Sequence, residues 1–238
     1  MIPLGLRLAL RHLTVLPLAA DAREEHASPV HALLWFPLTG ALIGAFAAAM
    51  LALPLPALPR AALALAAWAA LTGALHEDAW MDSADAALAI ATRERRHEIL
   101  KDPHVGAHAV TALAIALLLR FSALGIAAWI APIVAALCGR WMMVLTLAHF
   151  RAARTDGLGA RFARDARAWP ATAFALVMLC ALSAAGGARV LLAGAVALTV
   201  GGVMARWLSV RFGGLSGDGH GAAGYAAETA ALVAMVVA

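Results

Sequence analysis

Residues 32–59 read ALLWFPLTGALIGAFAAAMLALPLPALP, a run without one charged side chain. It exceeds the roughly 20 apolar residues that an α-helix needs to cross the hydrocarbon core of a bilayer. The rest of the chain follows suit. Of its 238 residues 63% are hydrophobic, and the mean hydropathy is +0.84, far above the usual composition of a water-soluble domain. Further apolar segments run over 61–75, 110–119, 121–149 (interrupted only by Arg140), 171–188, 190–205 and 222–238. Several are short and rich in Ala and Gly, which suits close helix packing in a membrane. The expected fold class is all-α: a polytopic integral membrane helical bundle of about seven spans, or six. It forms one membrane-embedded catalytic domain over 1–238, with no linker and no separate soluble part.

The N-terminal stretch MIPLGLRLALRHLTVLPLAA places Arg7, Arg11 and His12 inside its apolar part. That is unlike a cleavable signal peptide and suits an amphipathic surface or bundle-lining segment. Cys138 and Cys180 lie in apolar segments at no metal-binding spacing and read as packing residues.

The polar exception is 71–106, LTGALHEDAWMDSADAALAIATRERRHEILKDPHVG. Seven of the chain's 14 carboxylates fall here: Glu77, Asp78, Asp82, Asp85, Glu94, Glu98 and Asp102. Asp78, Asp82 and Asp85 stand at i, i+4 and i+7, so a helix projects all three from one narrow face. Carboxylates crowded in apolar surroundings repel one another and call for a cation, and all-oxygen donors suit Mg²⁺ or Mn²⁺. Glu77 is a candidate further ligand or base. His76, about 160° round the helix from Asp78 at ~100° per residue, either orients a neighbour or ligates. Arg93, Arg95, Arg96 and Lys101 follow on the same segment. Divalent metal beside cationic side chains is the equipment of phosphoryl transfer. Asp102 before Pro103 has the form of a helix N-cap and first residue. Arg140, alone in an apolar segment, needs a buried partner or a substrate. Gly213–Gly221, with Asp218 inside it, is either a phosphate cradle of backbone N–H groups or a turn between the last two helices.

Sidedness follows from charge. If seven spans alternate, 14 of the 18 basic residues share one side. Arg60, Arg120 and Arg189 fall on the other, and Arg140 within the membrane. By the positive-inside rule the crowded side is cytoplasmic, and every acid except Glu228 is on it.

The motifs LTGALHEDAWMDSADA and RERRHEILKDPHVG, together with LTVLPL (13–18), FPLTGALIGA (36–45), GRWMMV (139–144), ARTDGLGARF (153–162) and GGLSGDGHGA (213–222), resemble the cobalamin synthase family, adenosylcobinamide-GDP ribazoletransferase. The resemblance covers nearly the whole chain, in order. Its departures are Ala79 and Ala86 where glycines are usual, Pro103 for Ser, and Tyr225 where Glu is common. It implies a bacterial inner-membrane enzyme with a cytoplasmic active face. There α-ribazole, or its 5′-phosphate, attacks adenosylcobinamide-GDP with Mg²⁺, releasing GMP and forming adenosylcobalamin or its phosphate. The expected roles are Asp78, Asp82 and Asp85 on Mg²⁺, and Arg95, Arg96, Lys101, Asp102, Arg140, Arg154 and Asp218 toward substrate. The expected partners are those two substrates and the lipid bilayer, with no nucleic acid, and homo-oligomerisation is left open. The rival readings are a CDP-alcohol phosphotransferase-like lipid synthase, whose D-x2-D-G-x2-A-R pattern is missing here, and a non-enzymatic transporter.

Overall fold

The computed structural model describes residues 2–19, 22–25, 27–153, 157–164 and 166–237, and among these the regular structure is helical, with one isolated β-bridge. A short α1 (Leu4–Leu13) and α2 (Ala22–Glu25) precede a 3₁₀ turn, Pro29–Trp35, that runs into α3 (Phe36–Leu51). The helix ends there although the uncharged run goes on to Pro59: Ala52 caps it, and Pro54 and Pro56 cannot continue it. The long helices that follow are α4 (Ala57–Thr72), α5 (Leu75–Leu88), α7 (Ala107–Ile126), α8 (Ile130–His149), α10 (Ala168–Gly186), α11 (Arg189–Phe212) and α12 (Gly217–Val237). Two short helices, α6 (Arg93–Ile99) and α9 (Leu158–Ala163), sit in the connections.

Five segments are each long and apolar enough to cross a membrane: Pro29–Leu51, α7, α8, α10 and α11. α4 and α5 pass that test only as a pair, bent by 87°. The seventh expected segment is α12, 21 residues long and interrupted in its apolarity by Asp218, His220 and Glu228. One boundary differs from expectation. The run 121–149 is not one span: α7 continues through Arg120 to Ile126, the chain breaks at Ala127–Trp129, and α8 begins at Ile130.

α8 is the centre of the bundle, with 89% of its spanning window buried against 17% for α10. It packs on α3 and α12, and α11 packs against both α8 and α12. Small residues make this closeness possible. A Cβ on Gly139 of α8 would lie 2.9 Å from the Glu228 Cβ of α12. Of the cysteines, Cys138 is buried in this core, while Cys180 faces outward from α10.

Charged connections gather at one end of the bundle. At the opposite end Arg60 donates to the Leu51 carbonyl (3.1 Å) and Arg189 to that of Gly186 (2.9 Å), each capping the helix before it. Arg120 does not belong to that end. It is fully buried within α7, a correction to its expected place in a loop.

Candidate active site

The site is built on the break between α4 and α5. Gly73 (φ 61°) and Ala74 (φ 55°) both adopt left-handed backbone, which stops α4 and sends the chain off at nearly a right angle. Ala74 is the one non-glycine with positive φ among the described residues. Ala79 and Ala86 lie in ordinary helix and are buried, so alanine there meets no backbone strain. Where α5 crosses α12, a Cβ on Gly221 would come within 2.7 Å of the Ala79 Cβ. This approach brings Asp78 of α5 and Asp218, in the first turn of α12, onto the same small cavity of about 160 Å³. His12, His76, Met143 and His220 line it too. Nothing in the spacing of His12 or His220 marks them for this place. The turn before α12 is held by a bridge in which Leu215 N–H donates to the Arg151 carbonyl and Ala153 N–H to that of Leu215, both at 2.9 Å. Gly213–Gly221 is thus half turn and half helix, since α12 starts at Gly217.

The expected one-sided carboxylate face is present on α5. Asp78 is exposed, and Asp82 and Asp85 are half-buried. Asp82 is acted on by Asp78, Asp218 and Asp85, all of one sign. Asp85 has other work: its carboxylate accepts from Gly106 N–H (2.6 Å) and Ala109 N–H (2.9 Å), capping α7 from a neighbouring helix. Among the described residues no three His, Cys, Asp or Glu side chains converge closely enough to hold a metal ion between them. The donors are nonetheless of the right kind. Mg²⁺ commonly takes one or two carboxylates and completes its shell with water and substrate phosphate.

Below this face lies an ionic cluster that spacing does not disclose. Arg120 of α7 donates to Glu228 Oε1 of α12 (2.5 Å), and Arg140 of α8 pairs with Glu228 Oε2. The Arg120 guanidinium is sandwiched between the rings of Trp68 (4.4 Å) and Tyr225 (4.8 Å). Arg140 Nη2 also donates to His76 Nδ1 (3.3 Å). Because guanidinium is donor only, Nδ1 supplies a lone pair, and His76 Nε2–H points to the Met143 sulfur (3.2 Å). His76 therefore orients its neighbours. Arg140, 1% exposed, is engaged by Glu228 and His76. Glu77 is buried beside this cluster, with Oε2 unpartnered.

The basic segment is on the surface. Thr92 caps α6 through Arg95 N–H (3.4 Å), and Arg95 pairs with Glu98 (2.6 Å). Arg96 Nη2 donates to the Ala89 carbonyl (3.2 Å), and Lys101 is exposed. Asp102 does not cap α7, whose N-cap is Gly106. It closes a tight turn instead, where the His104 backbone N–H (3.0 Å), and then its ring (2.6 Å), hold the carboxyl below the usual carboxylate range. Arg154 lies outside the described residues.

Fold and site together define a polytopic helical membrane protein with a carboxylate-lined recess at its charged end. A family model described as "Cobalamin-5-phosphate synthase" matches residues 5–236, and the chain belongs to that family. It is 40% identical to the adenosylcobinamide-GDP ribazoletransferase of Deinococcus radiodurans, over 91% of this chain and 80% of the relative. It is 33% identical to the enzyme of that name from Roseiflexus sp., over 96% and 88%. For the one from Stutzerimonas stutzeri the identity is 37%, over 98% of each. No solved structure matches.

Proposed function

We propose that this chain is a membrane phosphotransferase that joins α-ribazole, or its 5′-phosphate, to adenosylcobinamide-GDP and releases GMP. The observation that carries the reading is the run of Asp78, Asp82 and Asp85 along one face of α5, with Asp78 and Asp218 of α12 lining one cavity. Such a cluster suits Mg²⁺, held by Asp78 and Asp82, with Asp218 across the cavity and Asp85 contributing charge from its capping position. The metal would neutralise non-bridging phosphate oxygens as the phosphorus is attacked. The chain's own residues do the rest. The bend at Gly73–Ala74 aims the carboxylates into the recess, and Arg140 and His76 fix the start of α5. Arg95, Arg96, Lys101 and Arg154 remain as the diphosphate contacts. The hydroxyl of ribazole forms the new P–O bond, GMP leaves with the electrons of the broken one, and the hydroxyl proton passes to a carboxylate or to water.

The charged end is assigned to the cytoplasmic face of a bacterial inner membrane, where both substrates arrive from solution. Incubating the purified protein with adenosylcobinamide-GDP, α-ribazole and Mg²⁺ should release GMP in step with loss of the GDP-linked substrate. Binding of both substrates without metal-dependent GMP would make the chain a carrier instead.

A further inference from the structure

On the membrane side of α5, away from the acids, α7 and α11 splay apart and leave a flank of α12 uncovered. The gap is a groove of about 810 Å³. Trp80 and Leu88 line it toward the charged end, Ile115 lines one wall, Val200 and Met204 the other, and Ala230 the floor. On α5, Trp80 stands about 160° from Asp78 at ~100° per residue, so groove and acid face are opposite sides of one helix.

The groove's chemistry selects its occupant. Its walls are largely carbon, since the polar atoms of Trp80, Tyr225 and Thr229 are buried within the protein and only His108 and Thr111, near the start of α7, add polar groups. Two such side chains are too few to read an amide, a sugar or a base. Slender acyl chains fit. The mouth is cationic. One and two turns beyond Met204 on α11 stand Trp207 and Arg211, the guanidinium 5.5 Å from the Trp207 ring centroid. His97 Nε2–H donates to the Phe212 carbonyl (3.0 Å) and docks α6 there. That brings the Arg93 guanidinium so close to Gly213 that a Cβ would lie 2.7 Å from its Nη1. His108, in the first turn of α7, lines the opposite wall.

We propose that this groove binds a phospholipid with an anionic headgroup, its acyl chains between α7 and α11 and its phosphate at Arg93 and Arg211. The lipid packs against Trp80 and Leu88 and so backs the helix whose other face carries Asp78, Asp82 and Asp85. The site stands independently of the reaction assigned above, because occupancy is measured without substrate.

The test is native mass spectrometry of the protein released from nanodiscs of phosphatidylcholine with a minority of phosphatidylglycerol. One phosphatidylglycerol should stay bound after mild delipidation. Arg211→Gln should lower its preference over phosphatidylcholine by roughly fivefold, the effect of one basic side chain near a membrane surface. Ala230→Trp, which fills the floor, should release the lipid; if that variant fails to fold, Arg211→Gln decides alone. Three results would overturn the proposal. They are equal retention of both lipids, a preference unchanged in Arg211→Gln, and disulfide crosslinking of two copies through Ile115→Cys, which would make the groove an interface between copies.

Discussion

Two groups of carboxylates in this molecule are treated in opposite ways. Glu228 is 1% exposed and meets two guanidinium groups, with Glu77 nearby, so the buried charges of Arg120 and Arg140 are balanced inside the protein. Asp78 of α5 and Asp218 of α12 line one recess, and Asp82 and Asp85 follow Asp78 along the same face of α5. A membrane interior permits no unbalanced ion, so the deep cluster had to be completed by the chain itself. The recess is under no such compulsion. Its excess charge is left for something from outside, which is the physical meaning of a site.

The largest effect should come from unbalancing the deep cluster. Glu228→Gln leaves two buried guanidinium groups facing a neutral amide, at a cost of about 3–5 kcal/mol. Yield of folded protein in mild detergent should collapse; normal yield and melting temperature would show that the two arginines find other partners. Asp82→Asn should do the reverse. Removing one of several like charges leaves folding intact or slightly improved, while GMP release falls on the order of a hundredfold or more. EDTA should act alike, and full activity under either treatment would sink the metal assignment.

Arg140→Lys lies between these extremes. Lysine keeps the charge toward Glu228 but cannot also reach His76 with a fork of donors. We expect about 1–2 kcal/mol of lost stability, with a smaller loss of rate; a rate loss with unchanged melting would return Arg140 to the substrate. Asp85→Asn removes one of the two acceptors that cap α7, worth about 1 kcal/mol. Its rate should fall less than that of Asp82→Asn, and an equal fall would make the two aspartates equivalent metal ligands. Arg164, exposed at the end of α9, should tolerate alanine within about 0.5 kcal/mol and keep full GMP release.

Much of this contrast is legible in the sequence. The spacing of Asp78, Asp82 and Asp85 specifies one helix face, and α5 presents it. The apolar runs mark the helices because burial in lipid leaves little alternative composition. What spacing could not reveal is pairing at a distance. Glu228 stands out as an acid inside the apolar segment 222–238, but it lies 108 residues from Arg120 in the chain, and nothing local names its partners. Arg120 itself sits where one apolar run meets the next, which resembles a turn until α7 is seen to continue through it. The second task of Asp85 was hidden for the same reason, since its partners at Gly106 and Ala109 belong to another helix. The 87° bend was hinted at by Gly73, but Ala74 in left-handed backbone carries no signature in its side chain.

The deep cluster also sets a timetable for synthesis. α7 leaves the ribosome with Arg120 and α8 with Arg140, each costing roughly 2.5–3.5 kcal/mol to insert alone at mid-membrane. Their shared partner, Glu228, arrives only with α12, 108 residues after Arg120. Until then Glu77 of α5 is the buried acid at hand for two guanidinium groups, so a bundle lacking α12 carries an excess of buried positive charge. Asp218 meets Asp78 only when α12 is in place, so one helix both neutralises the deep cluster and completes the recess.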